Sequence, residues 1–171
     1  DAAKALLADA GYPDGFETTI YYRDVFRVYL PEPGAVAVEF QTQLKENLNI
    51  DAEVVVMESG EFIDESTQGN LDGLYLLGWG ADYMHVTNFL DFHFSRNNPQ
   101  YGDPVPEIYE LLEEAAVLLD PGDLYTQANN KIRELVPTVP IVHGAANNAA
   151  VASLDGAHGP PIGPPLFAKN T

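Results

Sequence analysis

The sequence predicts an α/β fold with a mostly parallel sheet flanked by helices. The first observation is the order of elements up to Gly78, which reads strand, helix, strand, helix, strand. That order is typical of right-handed parallel βαβ units. The second is composition, because 46% of the 171 residues are hydrophobic. A chain of this length and composition can bury a core of its own, so it is not a disordered tail.

The first elements have clear local signals. Asp1 is placed to cap a short helix that continues to Ala10, with Gly11 and Pro13 ending it. Glu17–Arg23 is rich in β-branched and aromatic residues, which predicts a strand.

The next three elements complete the predicted sheet. After the turn at 31–34, apolar residues recur at every fourth position and predict one helix face: Val36, Phe40, Leu44 and Leu48. Asp51–Met57 predicts a strand covered on both faces. A polar helix near 59–68 and a buried strand at 71–78 follow.

The second half predicts two amphipathic helices. The first begins after Pro104 and Pro106 and has the apolar positions Ile108, Leu111, Leu112, Ala115 and Leu119. The second begins near Asp123 and has Leu124, Ala128, Ile132 and Leu135. Residues 139–142 predict a short strand. Beyond Leu154 the chain is an extended Gly/Pro-rich tail without periodicity, whose backbone groups need partners from elsewhere.

Charge and composition exclude several functions. The formal net charge of −18 makes nucleic acid and anionic membrane surfaces poor partners. The absence of cysteine excludes disulfides and thiolate metal sites. No serine lies in a Gly-x-Ser-x-Gly turn, and the adjacent Glu113 and Glu114 point about 100° apart on a helix, so no catalytic set is predicted.

The most informative segment is Gly78-Trp79-Gly80-Ala81-Asp82-Tyr83. It follows the apolar strand at 71–78, and ligands of open α/β sheets usually bind at the carboxyl ends of strands. One aromatic face, two glycines that admit another backbone and one carboxylate suit a small cationic or zwitterionic ligand. Two alternatives remain open here: Asp82 caps the turn before a helix at 87–94, and Trp79 is a core residue.

The four histidines do not form a recognisable metal site. His85, His93, His143 and His158 contain no i, i+4 pair on a helix, and no cysteine supplements them. Surface or polar-core roles are therefore favoured, and no metal or other cofactor is expected.

The order of motifs resembles that of the family 5 extracellular solute-binding proteins, the peptide and nickel receptors of ABC importers. Four stretches carry the resemblance over nearly the whole chain: ALLADAGYPDGF from Ala5, QTQLKENLNI from Gln41, GWGADY followed by Asn88-Phe89-Leu90, and the segment from Leu124-Tyr125 to VPTVPI. Met84-His85-Val86 departs from the Pro-Asp-Pro usual in that family.

The resemblance implies a fold and a function. It implies that residues 1–154 form the C-terminal lobe of a periplasmic-binding-protein-like type II fold. Residues 155–171 would cross back to a missing N-terminal lobe of the same protein. The implied function is solute capture, of peptides above all, for the membrane permease subunits of an ABC importer in the extracytoplasmic space, without enzymatic activity.

The resemblance also implies roles for individual residues. Asp82 would pair with the α-ammonium group of a peptide, while Trp79 and Tyr83 line the cleft. Gly78 and Gly80 belong to a segment, 77–80, that could pair with the peptide backbone. His143 follows the VPTVPI motif and is a minor ligand candidate.

Two alternatives remain. One is the same receptor class with another cargo: nickel chelate, haem, oligosaccharide or a small cationic metabolite. The other is a stand-alone acidic α/β enzyme domain.

Overall fold

A computed structural model describes residues 1–144 and residue 151. The chain divides into two compact units, Asp1–Gly78 and the part from Trp79 onward, and each is described by itself.

The first unit is a three-stranded parallel sheet with helices. Its elements in chain order are α1 (Ala2–Asp9), β1 (Glu17–Arg23), α2 (Pro33–Leu48), β2 (Asp51–Met57), α3 (Ser59–Thr67) and β3 (Leu74–Tyr75). The strand order is β2-β1-β3. Glu17 lies opposite Asp51 and Ile20 opposite Leu74, and both pairings are parallel. The predicted α/β class and parallel sheet are therefore confirmed for this unit.

The core of the first unit lies between the sheet and α2. Ile20 and Ala37 are 1% and 0% exposed, and Ala52 completes their cluster. Phe40 and Leu44 of the predicted helix face pack against it. On α3, fully buried Phe62 meets the ring of Tyr75 edge-on at 6.1 Å.

The third strand is much shorter than predicted. Gly73 precedes it with φ +133°, and a β-carbon there would overlap the carbonyl oxygen of Thr19. After Tyr75, one more bond joins the backbone nitrogen of Leu76 to the carbonyl oxygen of Tyr21, at 3.0 Å. An apolar run indicates that residues are buried, but not that they pair with another strand. The prediction of a strand over 71–78 was therefore wrong at both ends.

The second unit is helical in the part that the structure describes. It contains a short 3-10 helix (Val86–Asn88) and α4 (Leu90–Phe94), then α5 (Pro106–Ala116) and α6 (Leu124–Leu135). Its core cluster consists of Leu90, Ile108, Leu112 and Ala128. Arg96, after α4, makes two hydrogen bonds of 2.8 and 2.7 Å to the carboxylate of Glu113 on α5.

Two predictions for the second half were wrong. Helix α5 ends at Ala116, and the side chain of Leu119 is fully exposed. Pro121 follows, and a proline has no N–H to bond the carbonyl of Val117 and would clash with it, so the apolar periodicity continues beyond the helix. Residues 139–142 form no strand in the described structure, because β-branched composition does not supply a pairing partner. The tail at 155–171 lies outside the described residues.

No helix among residues 1–144 is long and apolar enough to cross a membrane.

Candidate ligand-binding site

One buried amide holds the segment between Trp79 and Asn88 in a loop. The Oδ1 atom of Asn88 accepts hydrogen bonds from the indole Nε1 of Trp79 at 3.2 Å and from the backbone nitrogen of Asp82 at 3.0 Å. Asn88 as a residue is only 5% exposed. Because both partners are N–H donors, the oxygen of the amide, with its two lone pairs, must face them. Asn88 therefore sets the position of the Trp79 ring and of the Asp82 backbone together.

The indole of Trp79 is packed on α4. Its ring stacks on Phe92, with centroids 4.3 Å apart and planes at 26°, and meets His93 edge-on at 4.8 Å. The residue is half-buried. Trp79 can therefore be both a core residue and part of a ligand site, since one face packs on α4 and the residue keeps an accessible part.

The carboxylate of Asp82 is exposed and has no hydrogen-bond partner among residues 1–144. The 3-10 helix that follows is capped instead by His85, whose Nδ1 accepts a hydrogen bond from the backbone nitrogen of Thr87 at 3.3 Å. The capping alternative for Asp82 was therefore wrong. Its backbone N–H is fixed by Asn88, and its charged group remains available.

Tyr83 belongs to a small polar network beside Asp82. Its hydroxyl and the Oγ1 of Thr87 are 3.1 Å apart, and the same Oγ1 lies 3.0 Å from Nδ1 of His85. The ring of His85 in turn meets Tyr125 of α6 edge-on at 5.8 Å. Tyr83 is 48% exposed. The departure Met84-His85-Val86 thus forms an ordered turn tied to α6.

The two glycines of the motif have different surroundings. Gly78 is the last residue of the first unit, and a β-carbon there would overlap the ring of Tyr29. At Gly80 a β-carbon would meet nothing within 4 Å, and the residue is exposed. Only Gly78 therefore has a packing reason to lack a side chain. His143 is exposed and lies outside any helix or strand.

Sequence reasoning missed Asp91 on α4. Its Oδ1 atom is buried without a hydrogen-bond partner in the described part of the chain. Burial raises the pKa of this carboxyl, while the nearby charge of His85 lowers it. Burial, followed by the charges of Asp91 and Tyr83, raises the pKa of Tyr125. No local pattern marks a half-buried carboxylate on a five-residue helix, so the sequence offered no signal.

The histidines do not converge on a metal. His93 is buried, with its Nδ1 2.9 Å from Oε1 of Gln100, and burial lowers its pKa. Burial likewise raises the pKa of the neighbouring Tyr101 to about 12. Within the described residues, no three His, Asp or Glu side chains are grouped as a metal site would require. His158 lies outside them.

An open groove of about 850 Å³ in the first unit is a weaker candidate. It lies at the amino ends of the strands, where Glu17, Asp51 and Asp72 line it. Its cation, Lys45, is already bound to Asp51 at 2.8 Å. Ligands of parallel α/β sheets usually bind at the opposite, carboxyl end, where the Gly78 segment begins.

Comparisons with known proteins define the class. The family profile described as bacterial extracellular solute-binding proteins, family 5 Middle, matches residues 1–101. A dipeptide-binding protein of Pseudomonas aeruginosa is 31% identical over 179 residues, covering 99% of this chain and 32% of its own length. The structure of HbpA2 from Haemophilus parasuis superposes with a TM-score of 0.71 at 32% identity, covering 80% of this chain and 28% of that one.

A second solved structure is similar in the same way. It is the dipeptide binding protein of Pseudoalteromonas sp. SM9913 in complex with Met-Leu, with a TM-score of 0.65 and 30% identity over 80% of this chain and 27% of that one. The fold is that of a periplasmic binding protein of type II. The chain belongs to the family 5 bacterial extracellular solute-binding proteins, and it spans less than one third of the length of these relatives.

Proposed function

We propose that this chain is one lobe of a solute receptor that captures peptides for an ABC importer. Residues 1–154 form the C-terminal lobe, and residues 155–171 return to an N-terminal lobe that supplies the rest of the cleft. The receptor works outside the cytoplasm, hands its cargo to the permease subunits and catalyses no reaction. Family membership and relatives whose names specify dipeptides support this proposal.

The observation that carries the proposal is the state of Asp82. Its carboxylate is exposed and has no partner in the described chain, while Asn88 fixes its backbone N–H at 3.0 Å. An exposed, unpaired carboxylate on a backbone that Asn88 holds in place fits the ammonium group of a peptide's first residue. When a second lobe closes over such a pair, the water around it is excluded and the charge-assisted hydrogen bond becomes stronger.

The neighbouring residues have supporting roles in this proposal. Trp79 and Tyr83 form the wall beside the anchor. Residues 77–80 make no backbone-to-backbone hydrogen bonds with other described residues, so their peptide groups are available to an extended ligand. Gly80 keeps that edge open because no side chain stands over it. Gly78 acts through its packing on Tyr29, and His143 is a contact at the margin of the cleft.

The test is calorimetric titration with the dipeptide Met-Leu. The 171-residue chain and the longer protein that contains it are titrated in parallel, and Met-Leu hydrolysis is followed in the same samples. We expect binding that requires the other lobe, and no hydrolysis. Hydrolysis by the 171-residue chain would favour the alternative of a stand-alone enzyme domain. Absence of binding in the longer protein would refute peptide capture.

A further inference from the structure

We propose that Asn88 is the positioning residue of this site and that its amide gives the site its selectivity for a free amino terminus. The inference rests on the proposed function of Asp82. It concerns a residue that contacts no ligand itself and acts through the backbone of Asp82 and the ring of Trp79.

Asn88 is held firmly enough to act as a reference point. Its backbone nitrogen bonds the carbonyl oxygen of His85 at 3.1 Å, which makes it the last residue of the 3-10 helix. Two residues later, Leu90 enters the core cluster of the second unit. The backbone that carries the amide is therefore fixed within the second unit. The amide oxygen in turn holds the N–H groups of Trp79 and Asp82.

The backbone on the amino side of Asp82 has few other hydrogen bonds. Residues 79–81 make no backbone-to-backbone hydrogen bonds in the described structure, and the N–H of Asp82 bonds only to Asn88 there. Without the amide oxygen, two N–H groups lose their acceptor and the backbone that carries the Asp82 carboxylate loses its fixed position. Ordering the loop would then be part of each binding event and would weaken it. A ligand without an ammonium group gains little from Asp82, so its affinity should depend less on Asn88.

The experiment compares Asn88→Ala and Asn88→Asp with the wild type. The Asp variant keeps an oxygen that can accept both N–H bonds. The control is Gln127→Ala, which removes an exposed amide of the second unit that donates to the carboxylate of Asp123 at 2.9 Å. Met-Leu and N-acetyl-Met-Leu are titrated into the longer protein that carries each substitution. Fluorescence emission of Trp79 is recorded without peptide on the 171-residue chain, in which it is the one tryptophan.

We expect Asn88→Ala to weaken Met-Leu binding by about tenfold, as loss of two hydrogen bonds would. Binding of N-acetyl-Met-Leu should weaken less than that of Met-Leu, and Trp79 emission should move to longer wavelength. Asn88→Asp should restore both properties, and Gln127→Ala should leave both unchanged. In the wild type without peptide, the Asp82 amide and the Trp79 indole N–H should exchange slowly, a check that needs no variant.

Three results would overturn the inference. If Asn88→Ala bound Met-Leu as tightly as the wild type does, the role of Asn88 would be refuted while the proposed function would stand. Equal weakening of both peptides would show a general structural role. Fast exchange of the Asp82 amide in the wild type would show that the amide is not fixed. A wild type that binds neither peptide would instead refute the proposed function, and this inference with it.

Discussion

Gly78 lies so close to Tyr29 that a β-carbon at residue 78 would overlap the tyrosine ring. The first glycine of the GWGADY segment is therefore required by packing within its own unit. Gly80, two residues later, has open space around it. Gly78 is therefore a structural glycine, whereas Gly80 has room for a ligand.

Gly78→Ala is expected to destabilise the protein, whereas Gly80→Ala is not. Overpacking of this kind costs roughly 1–3 kcal/mol of unfolding free energy, because the ring or the backbone must move. Urea unfolding measures both variants. Tyr29→Ala combined with Gly78→Ala should relieve most of the added cost. Equal stability of Gly78→Ala and Gly80→Ala would contradict the described contact.

Ile108→Ala is expected to cost about 2–5 kcal/mol, because it removes a side chain that is 2% exposed in the core cluster of the second unit. Leu119→Ala is the matched control, since Leu119 was predicted on the same helix face but is fully exposed. Its unfolding free energy should change by less than about 0.5 kcal/mol. A large loss for Leu119→Ala would mean that the predicted longer helix forms after all.

The buried side chain of His93 should make the free energy of unfolding depend on pH. Burial lowers its pKa, so the unfolded chain, with an ordinary value of about 6.5, binds the proton more readily than the folded protein. Its contribution to stability is therefore full above pH ~6.5 and is lost as the pH falls below that value. The loss cannot exceed about 1.4 kcal/mol per pH unit.

The pH dependence is measured by urea unfolding at several pH values from about 7.5 to about 5, on both sides of the ordinary histidine pKa of ~6.5. His93→Gln keeps a side chain that can bond Gln100 and should show a flatter dependence than the wild type. His143→Gln, at an exposed position, is the control. A wild-type slope retained in His93→Gln would show that His93 does not cause it.

Local patterns predicted the elements whose signal is local. Glu17–Arg23 and Asp51–Met57 are strands with the bounds that their composition indicates, and Phe40 and Leu44 lie on the buried side of α2. β3 and the expected strand at 139–142 failed for a common reason. Pairing depends on a partner that is distant in sequence, and an apolar run cannot specify it.

The candidate site could be proposed from the residues of the sequence, but its construction could not. Asp82 and Trp79 stand out in the sequence by charge and by type. The amide of Asn88 does not, because its role arises only when residues 79–88 fold back and bring two donors to one oxygen. The same is true of Asp91, whose buried oxygen depends on how α4 packs.

The most direct test of the account is the preference for a free amino terminus in wild type and Asp82→Asn. Calorimetry with Met-Leu and N-acetyl-Met-Leu on the longer protein measures it, and Asp72→Asn, at the amino end of the sheet, is the control for the lost charge. We expect Asp82→Asn to lose about 2–5 kcal/mol of Met-Leu affinity and to bind both peptides alike, because the ammonium group loses its partner. An unchanged preference for Met-Leu in Asp82→Asn would contradict the account.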